Sequence, residues 1–151
     1  MRRTRFDEWP CPIARVTDLV GDWWTPVVLR ELFAGRSRFD DIQQELGCSR
    51  AVLAQRLQRL VDEGLLVKVP YEDHPPRYDY RFTPKGRAFW DVLAAMWRWG
   101  SDWMWDGEPP VVLVDRATRT EVRPAVVDER TGQPIDVRSL RVVANRRSAT
   151  G

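Results

Sequence analysis

Apolar residues recur at helical spacing through the first third of the chain and at alternating spacing in its middle, and this change of period divides it into elements. Residues 12–20 place Ile13, Val16, Leu19 and Val20 on one helical face, with Pro12 in the first turn and Gly21 at the end. Thr25-Pro26 predicts an N-cap followed by an N1 proline, and Val27, Val28, Leu29, Leu32 and Phe33 carry a second helix to Gly35. Phe39, Ile42 and Leu46 mark a short third helix stopped by Gly47. Ser49 caps a fourth over 49–63, which buries Leu53, Leu57, Leu60 and Val61 and is closed by Gly64. Two short helices joined through a glycine-containing turn form the helix-turn-helix pattern.

The period then falls to two. Leu65-Leu-Val-Lys-Val predicts a strand, 71–77 a turn, and Tyr78-Asp-Tyr-Arg-Phe a second strand. A hairpin directly behind a helix-turn-helix is a wing. Thr83-Pro84 caps a long helix to about Trp105, with Phe89, Leu93, Met96, Trp97, Gly100, Trp103 and Met104 in one stripe. Trp90, Trp99 and Trp105 fall off that stripe, so the helix is apolar on two sides and is expected to be buried on two sides, as at a dimer seam. An aromatic effector pocket between this helix and Trp23-Trp24 is the alternative use of the tryptophans. Past Gly107 the aromatics stop, and 111–144 alternate short valine-rich runs with turns, predicting two or three strands and a frayed tail from Asn145. The predicted fold is mainly α with a β-hairpin wing, a winged helix-turn-helix over 1–106, plus a short β-rich C-terminal extension over 107–151.

Composition narrows the function. Among 151 residues there is no apolar run of the roughly 18–20 needed to span a membrane, and the charged N-terminus has no apolar stretch behind it, so a cytoplasmic protein is expected. Cys11 and Cys48 cannot build a disulfide framework, and with His74 as the one histidine no zinc site or histidine-based triad is expected. No nucleophile–base pair or phosphate loop is present, so neither an enzyme nor a cofactor is expected. A net charge of +2 argues weakly for nucleic acid, and residues 1–106 carry equal numbers of basic and acidic side chains. Position matters more than the total. All but two of the 24 cations are arginine, and Arg50, Arg56, Arg59 and Arg77 fall on the predicted DNA face.

With Leu53, Leu57 and Leu60 inward, the opposite face of helix 49–63 is read as Ala51, Val52, Gln55 and Arg59, with Arg56 at its edge. Arginine and glutamine can read guanine and adenine edges bidentately in the major groove, and Val52 can meet a thymine methyl. Ser49 and Arg50 stand at the helix N-terminus, where free amides meet phosphate. In the wing, Arg77 is assigned to phosphate or the minor groove, with His74 near the tip, and Ser37 and Arg38 to backbone contacts that fix register. A solvated arginine face, or a winged helix docking another protein, is the plain alternative. Cys11, between Pro10 and Pro12 at a helix N-terminus, is a redox-sensing candidate, because the helix dipole makes such thiols reactive. The alternative is a small residue in a cap.

From Cys11 to about Trp105 the chain resembles the HxlR-type winged-helix transcriptional regulators of bacteria. The resemblance rests on Cys11-Pro-Ile, Gly-Asp-Trp-Trp at 21–24, Arg38-Phe-Asp-Asp-Ile, Leu46-Gly-Cys-Ser, Leu53-Ala-Gln-Arg-Leu and Leu60-Val-Asp-Glu-Gly-Leu-Leu. It continues through Tyr71, Pro75-Pro-Arg-Tyr-Asp-Tyr and Thr83-Pro-Lys-Gly, in order, over about two-thirds of the chain. It implies a homodimeric repressor or activator that binds double-stranded DNA, with the first and last helices at the dimer contact. A palindromic operator would be read through helix 49–63 and the wing at 71–80, under control of a small aromatic or electrophilic effector or of Cys11. The dimer or effector-pocket residues would be Trp23, Trp24, Trp90, Trp97, Trp99 and Trp103. Two features depart from the pattern: Val67 and Val69 flank Lys68 in the first wing strand, and Asp128 and Thr131 stand where some relatives carry zinc-binding cysteines before Gly132-Gln-Pro134.

Overall fold

The computed structural model describes residues 5–143 and Asn145. Six helices and one hairpin follow each other along it: α1 (Pro12–Val20), α2 (Thr25–Phe33), α3 (Phe39–Leu46), α4 (Arg50–Asp62), β1 (Leu66–Asp73), β2 (Pro76–Phe82), α5 (Pro84–Ala88) and α6 (Trp90–Trp103). No helix among the described residues is long and apolar enough to cross a membrane. The chain divides into two compact units, one up to Leu93 and one from Ala94.

In the first unit, Val28, Leu29, Ile42, Leu53, Leu57, Leu60, Leu65 and Leu66 are almost wholly enclosed, with Leu32, Cys48, Phe89 and Leu93 around them. Each enclosed leucine contributes roughly 1.5–3 kcal/mol of transfer free energy. Glycine ends α3 as predicted, Gly47 taking φ +64° in the left-handed region that a side chain resists. Ser49 caps α4, its hydroxyl accepting the Val52 amide at 3.3 Å.

Three boundaries differ from the sequence pattern. Thr25 lies inside α2, and the residue that satisfies the free amides is Asp22, whose Oδ1 accepts from Trp24 N and Thr25 N at 2.9 Å each. The wing turn shrinks to its tip. The strands pair through Glu72↔Arg77 and Asp73↔Pro76, leaving His74 and Pro75 as the loop, with an irregularity between Pro70 and Glu72. The prolines fit because the hairpin reaches beyond the body of the fold, where ladder bonds can be spared. The long last helix is two, because the Phe89 amide bonds to Gly86 O in a tighter 3.1 Å turn, and it ends at Trp103.

β2 gains a second neighbour from the segment before α3: Arg38 bridges Asp79, and Tyr80 N donates to Ser37 O at 2.8 Å. The join between α4, the hairpin and α5 is equally close. The Thr83 hydroxyl donates to Gly64 O at 2.6 Å and accepts from Gly86 N at 3.1 Å, while Lys85 Nζ donates to Glu63 O at 2.6 Å.

In the second unit the strands expected over 111–144 reduce to two single bridges, Val114↔Glu121 and Val127↔Pro134, followed by one 3-10 turn at Val137–Ser139. The valine runs alternate, but no neighbouring strand is placed to complete their ladders among the described residues. Ion pairs hold this region to the end of α6. Asp102 binds Arg98 at 2.7 Å and Arg123 at 2.7 Å, and Arg98 donates to Pro124 O at 3.1 Å. The hydrogen bond from Arg98 holds the Asp102 carboxyl below its usual range, with Arg123 adding to the effect. The frayed tail expected from Asn145 lies, Asn145 apart, outside the described residues.

A Cβ on Gly86 would stand 2.0 Å from Leu65 O and 2.9 Å from the Phe82 ring, so only glycine lets α5 approach the start of the hairpin. Gly86→Ala, although a better helix former, should lower stability by about 1–3 kcal/mol, read as a lower urea midpoint with unchanged slope.

Candidate nucleic-acid interface

The outward face of α4 consists of Arg50, Ala51, Ala54, Gln55, Gln58 and Asp62, all exposed, opposite the enclosed Leu53, Leu57 and Leu60. Val52 is half-buried against the core rather than presented outward. Ser49 and Arg50 stand at the helix start, as its sequence requires.

Arg56 and Arg59 do not belong to this face. Both were expected at base edges, yet they occupy one flank of α4 and turn back into the protein. Arg56 Nε lies 3.0 Å from Asp22 Oδ1, and Arg59 Nη2 lies 3.0 Å from Asp18 Oδ2 and donates to Asp18 O at 2.7 Å. Only 18% and 24% of these arginine side chains is exposed, against 68% for Arg50. The reason is positional: each follows a core leucine by two or three residues, which sets it at the margin of the buried face. There a long cation meets the acids of α1 and of the turn after it.

Asp22 therefore serves two elements. Its Oδ1 accepts two amides of α2 and faces Arg56, while its Oδ2 accepts the Thr25 hydroxyl at 2.5 Å. Burial alone would raise its pKa. The Thr25 hydroxyl, the Thr25 and Trp24 amides and the Arg56 charge outweigh that and hold the carboxyl below the usual value. Asp18, almost fully buried, also accepts the Phe6 amide at 3.2 Å. Buried Glu31 forms ion pairs with Arg30 and with Arg36, the latter at 2.9 Å and reaching on to Glu45 at 3.1 Å.

The remaining expected contacts surround a cleft of about 460 Å³ between the starts of α3 and α4 and the wing. Arg38, Arg50 and Arg77 line it together with Phe39, Tyr71 and Tyr78. Arg38 lies over the Tyr71 ring at 4.4 Å and 3.6 Å from Asp79, and Arg50 lies over the Phe39 ring at 4.7 Å and 2.7 Å from Asp40. Arg77 faces Glu72 across the hairpin at 3.3 Å, beside the exposed tip residue His74. Ser37 points into the fold, its hydroxyl donating to Asp79 at 3.1 Å, so it positions the wing rather than presenting a hydroxyl to phosphate. Gln58 was not among the expected residues. It bonds Asp62 and Lys68, at 2.7 and 2.9 Å, and so ties the outward face of α4 to the wing. A strict helical projection from Leu53, Leu57 and Leu60 would have placed Gln58 on the outward side.

The tryptophans separate by environment. Trp24 and Trp90 pack on the core of the first unit, Trp90 tilted against Phe33 at 5.2 Å, whereas Trp23 is 93% exposed. In the second unit Trp97 walls a cleft of about 160 Å³ with Arg98, Asp102 and Arg123, while Trp99 and Trp103 are exposed. Cys11 is an exposed free thiol at the N-cap of α1, and Cys48 is buried. Asp128 and Thr131 serve their own turn, accepting the amides of Arg130 and Gln133.

A recognition helix with a free outward face, a helix crossing behind it and an arginine-lined wing define a winged-helix transcriptional regulator that binds DNA. A family model described as HxlR-like helix-turn-helix matches residues 19–108, and the chain belongs to that family. It is 33% identical over 129 residues to an uncharacterized HTH-type transcriptional regulator of Mycobacterium tuberculosis, covering 85% of this chain and 82% of the relative. A second such regulator, from Synechocystis, is 42% identical over 95 residues, covering 62% of this chain and 70% of the relative. Among solved structures, PA1607, described as a candidate transcription factor, matches with TM-score 0.84 at 36% identity, over 94% of this chain and 100% of that one. The reduced redox regulator HypR, at 22% identity and TM-score 0.57 over 61% of this chain and 92% of its own, shares the fold.

Asp22→Asn keeps a capping oxygen but removes the charge facing Arg56. At neutral pH it should destabilise the fold by about 1–3 kcal/mol. Because the folded pKa lies below the ordinary 3.8, the wild-type advantage is complete above that value and disappears as pH falls through the depressed one. Denaturant titrations of both proteins should therefore converge only in strong acid, and a gap independent of pH would refute the role of the charge.

Proposed function

We propose that the protein is a cytoplasmic homodimeric regulator that reads a palindromic operator with α4 in successive major grooves and the wings on the flanking backbone. The observation that carries this reading is the exposed face Arg50, Ala51, Ala54, Gln55 and Gln58 beside the cleft of Arg38, Arg50 and Arg77. Gln55 can pair bidentately with adenine, and the alanines allow close approach to thymine methyls. Arg50, Arg38 and Arg77 take phosphates, with His74 at the wing tip. Arg56 and Arg59 hold the helix at its angle and read no base.

Dimerisation is supported by apolar side chains left open on the helices that the family resemblance assigns to it. Ile13 on α1 is 78% exposed, and on α6 Trp99 and Trp103 are 61% and 73% exposed. A second copy covering them would give the two-fold symmetry that a palindrome requires. A second reading, control through a thiol, is favoured by the exposure of Cys11 at the start of α1, the helix whose Asp18 binds Arg59 of α4. An unchanged response to oxidant in Cys11→Ser would exclude it.

Two substitutions separate reading from positioning. Against a duplex selected from a random pool, Gln55→Ala should lose about 1–3 kcal/mol at one base pair and relax preference there. Arg50→Ala should weaken all duplexes alike and reduce the salt slope by about one. Wild-type affinity in both variants would remove α4 from the interface. Sedimentation of a Trp99→Ala, Trp103→Ala protein should show monomer, and an intact dimer would move the interface elsewhere.

A further inference from the structure

We propose that Asp40 and Glu72 act as built-in substitutes for DNA phosphate, lowering affinity for arbitrary sequence and so setting the specificity of the interface. The proposal rests on the reading of the α4–wing face as the DNA surface. Both arginines concerned are exposed and already engaged: Arg50 Nη1 is 2.7 Å from Asp40 Oδ1, and Arg77 Nε is 3.3 Å from Glu72 Oε2. Neither carboxylate is enclosed, Asp40 being 69% and Glu72 45% exposed, so neither pair is part of the packed core. The third cleft arginine, Arg38, faces Asp79, which differs because it is largely enclosed and accepts the Ser37 hydroxyl. Asp79 belongs to the wing's framework, whereas Asp40 and Glu72 are exposed and pair with Arg50 and Arg77.

The consequence follows from how proteins hold DNA. Affinity for arbitrary sequence is almost wholly electrostatic and grows with each phosphate a free cation meets. An arginine paired to a carboxylate must exchange partners to meet a phosphate, and the carboxylate left beside that phosphate repels it. The cost is greatest where no other contact fixes the register. At the operator, contacts from Gln55 and the alanines of α4 fix it, so that each guanidinium can bridge its carboxylate and a phosphate without a full exchange. On arbitrary DNA nothing fixes it. Both partners are oriented before DNA arrives, since Arg50 is also stacked on Phe39 and Arg77 is opposite Glu72 in the strand register.

The test measures binding of wild type, Asp40→Asn, Glu72→Gln and the double variant to a random-sequence duplex and to the tightest duplex selected with wild type, across a salt series. Asp41, in the same first turn, keeps acidic charge at the start of α3, and circular dichroism confirms folding. Each variant should bind the random duplex about two- to fivefold tighter, with a salt slope steeper by up to about one, and the selected duplex should gain less, so that the ratio falls. In an Arg50→Ala background Asp40→Asn should gain clearly less than in wild type, which separates the pair from a change in net charge. Unchanged random-duplex affinity, an equal gain on both duplexes, or the same gain without Arg50 would each overturn the proposal while leaving the DNA reading intact. Failure of every protein to bind either duplex would overturn both.

Discussion

The fold turns on two carboxylates that hold the recognition helix. Asp18, late in α1, and Asp22, in the turn after it, receive Arg59 and Arg56 from one flank of α4. The leucines on the inner face fix how deep α4 lies, but apolar contact alone tolerates rotation about the helix axis. Two directional ion pairs, one of them with Asp22 also capping α2, remove that freedom. They do so at a partly enclosed site, where an arginine left without its acid is costly. The orientation of the outward face is thus determined along one flank of the helix, beside its buried face.

Much of this architecture was legible in the sequence because it depends on local chemistry. The period of the leucines, Ser49 before α4, and the glycines at 47 and 64 act within a few residues of themselves, and the family motifs confirm their order. What depends on distant partners was not legible. Arg56 and Arg59 look like any exposed helical arginines until Asp18 and Asp22 are brought beside them. Ser37 looks like a phosphate contact until Asp79 arrives from 42 residues away. The hairpin was underestimated because Pro75 and Pro76 read as turn residues, although Pro76 is the first residue of β2, a position a strand accepts. The C-terminal region erred in the other direction, since alternating valines need a partner strand to become a sheet.

The site was legible at the level of chemistry and less so at the level of side chains. Arg38, Arg50 and Arg77, far apart in the chain, gather around one cleft between the wing and the starts of α3 and α4. The arginine excess divides accordingly between cations that bind the protein together and cations that remain on its surface. Guanidinium suits both uses, because the same planar fork that grips a phosphate also grips a carboxylate and stacks on Tyr71 or Phe39.

The inward turn of Arg56 and Arg59 also bears on how such a regulator can diverge. Stability resides on the inner face and flank of α4, while Ala51, Ala54 and Gln55 carry little of it. Under the proposed reading of α4, mutation at those three positions would retarget a duplicated copy to a new promoter without passing through an unfolded ancestor. The flank arginines, tied to acids of α1 and of the turn after it, can change only together with them.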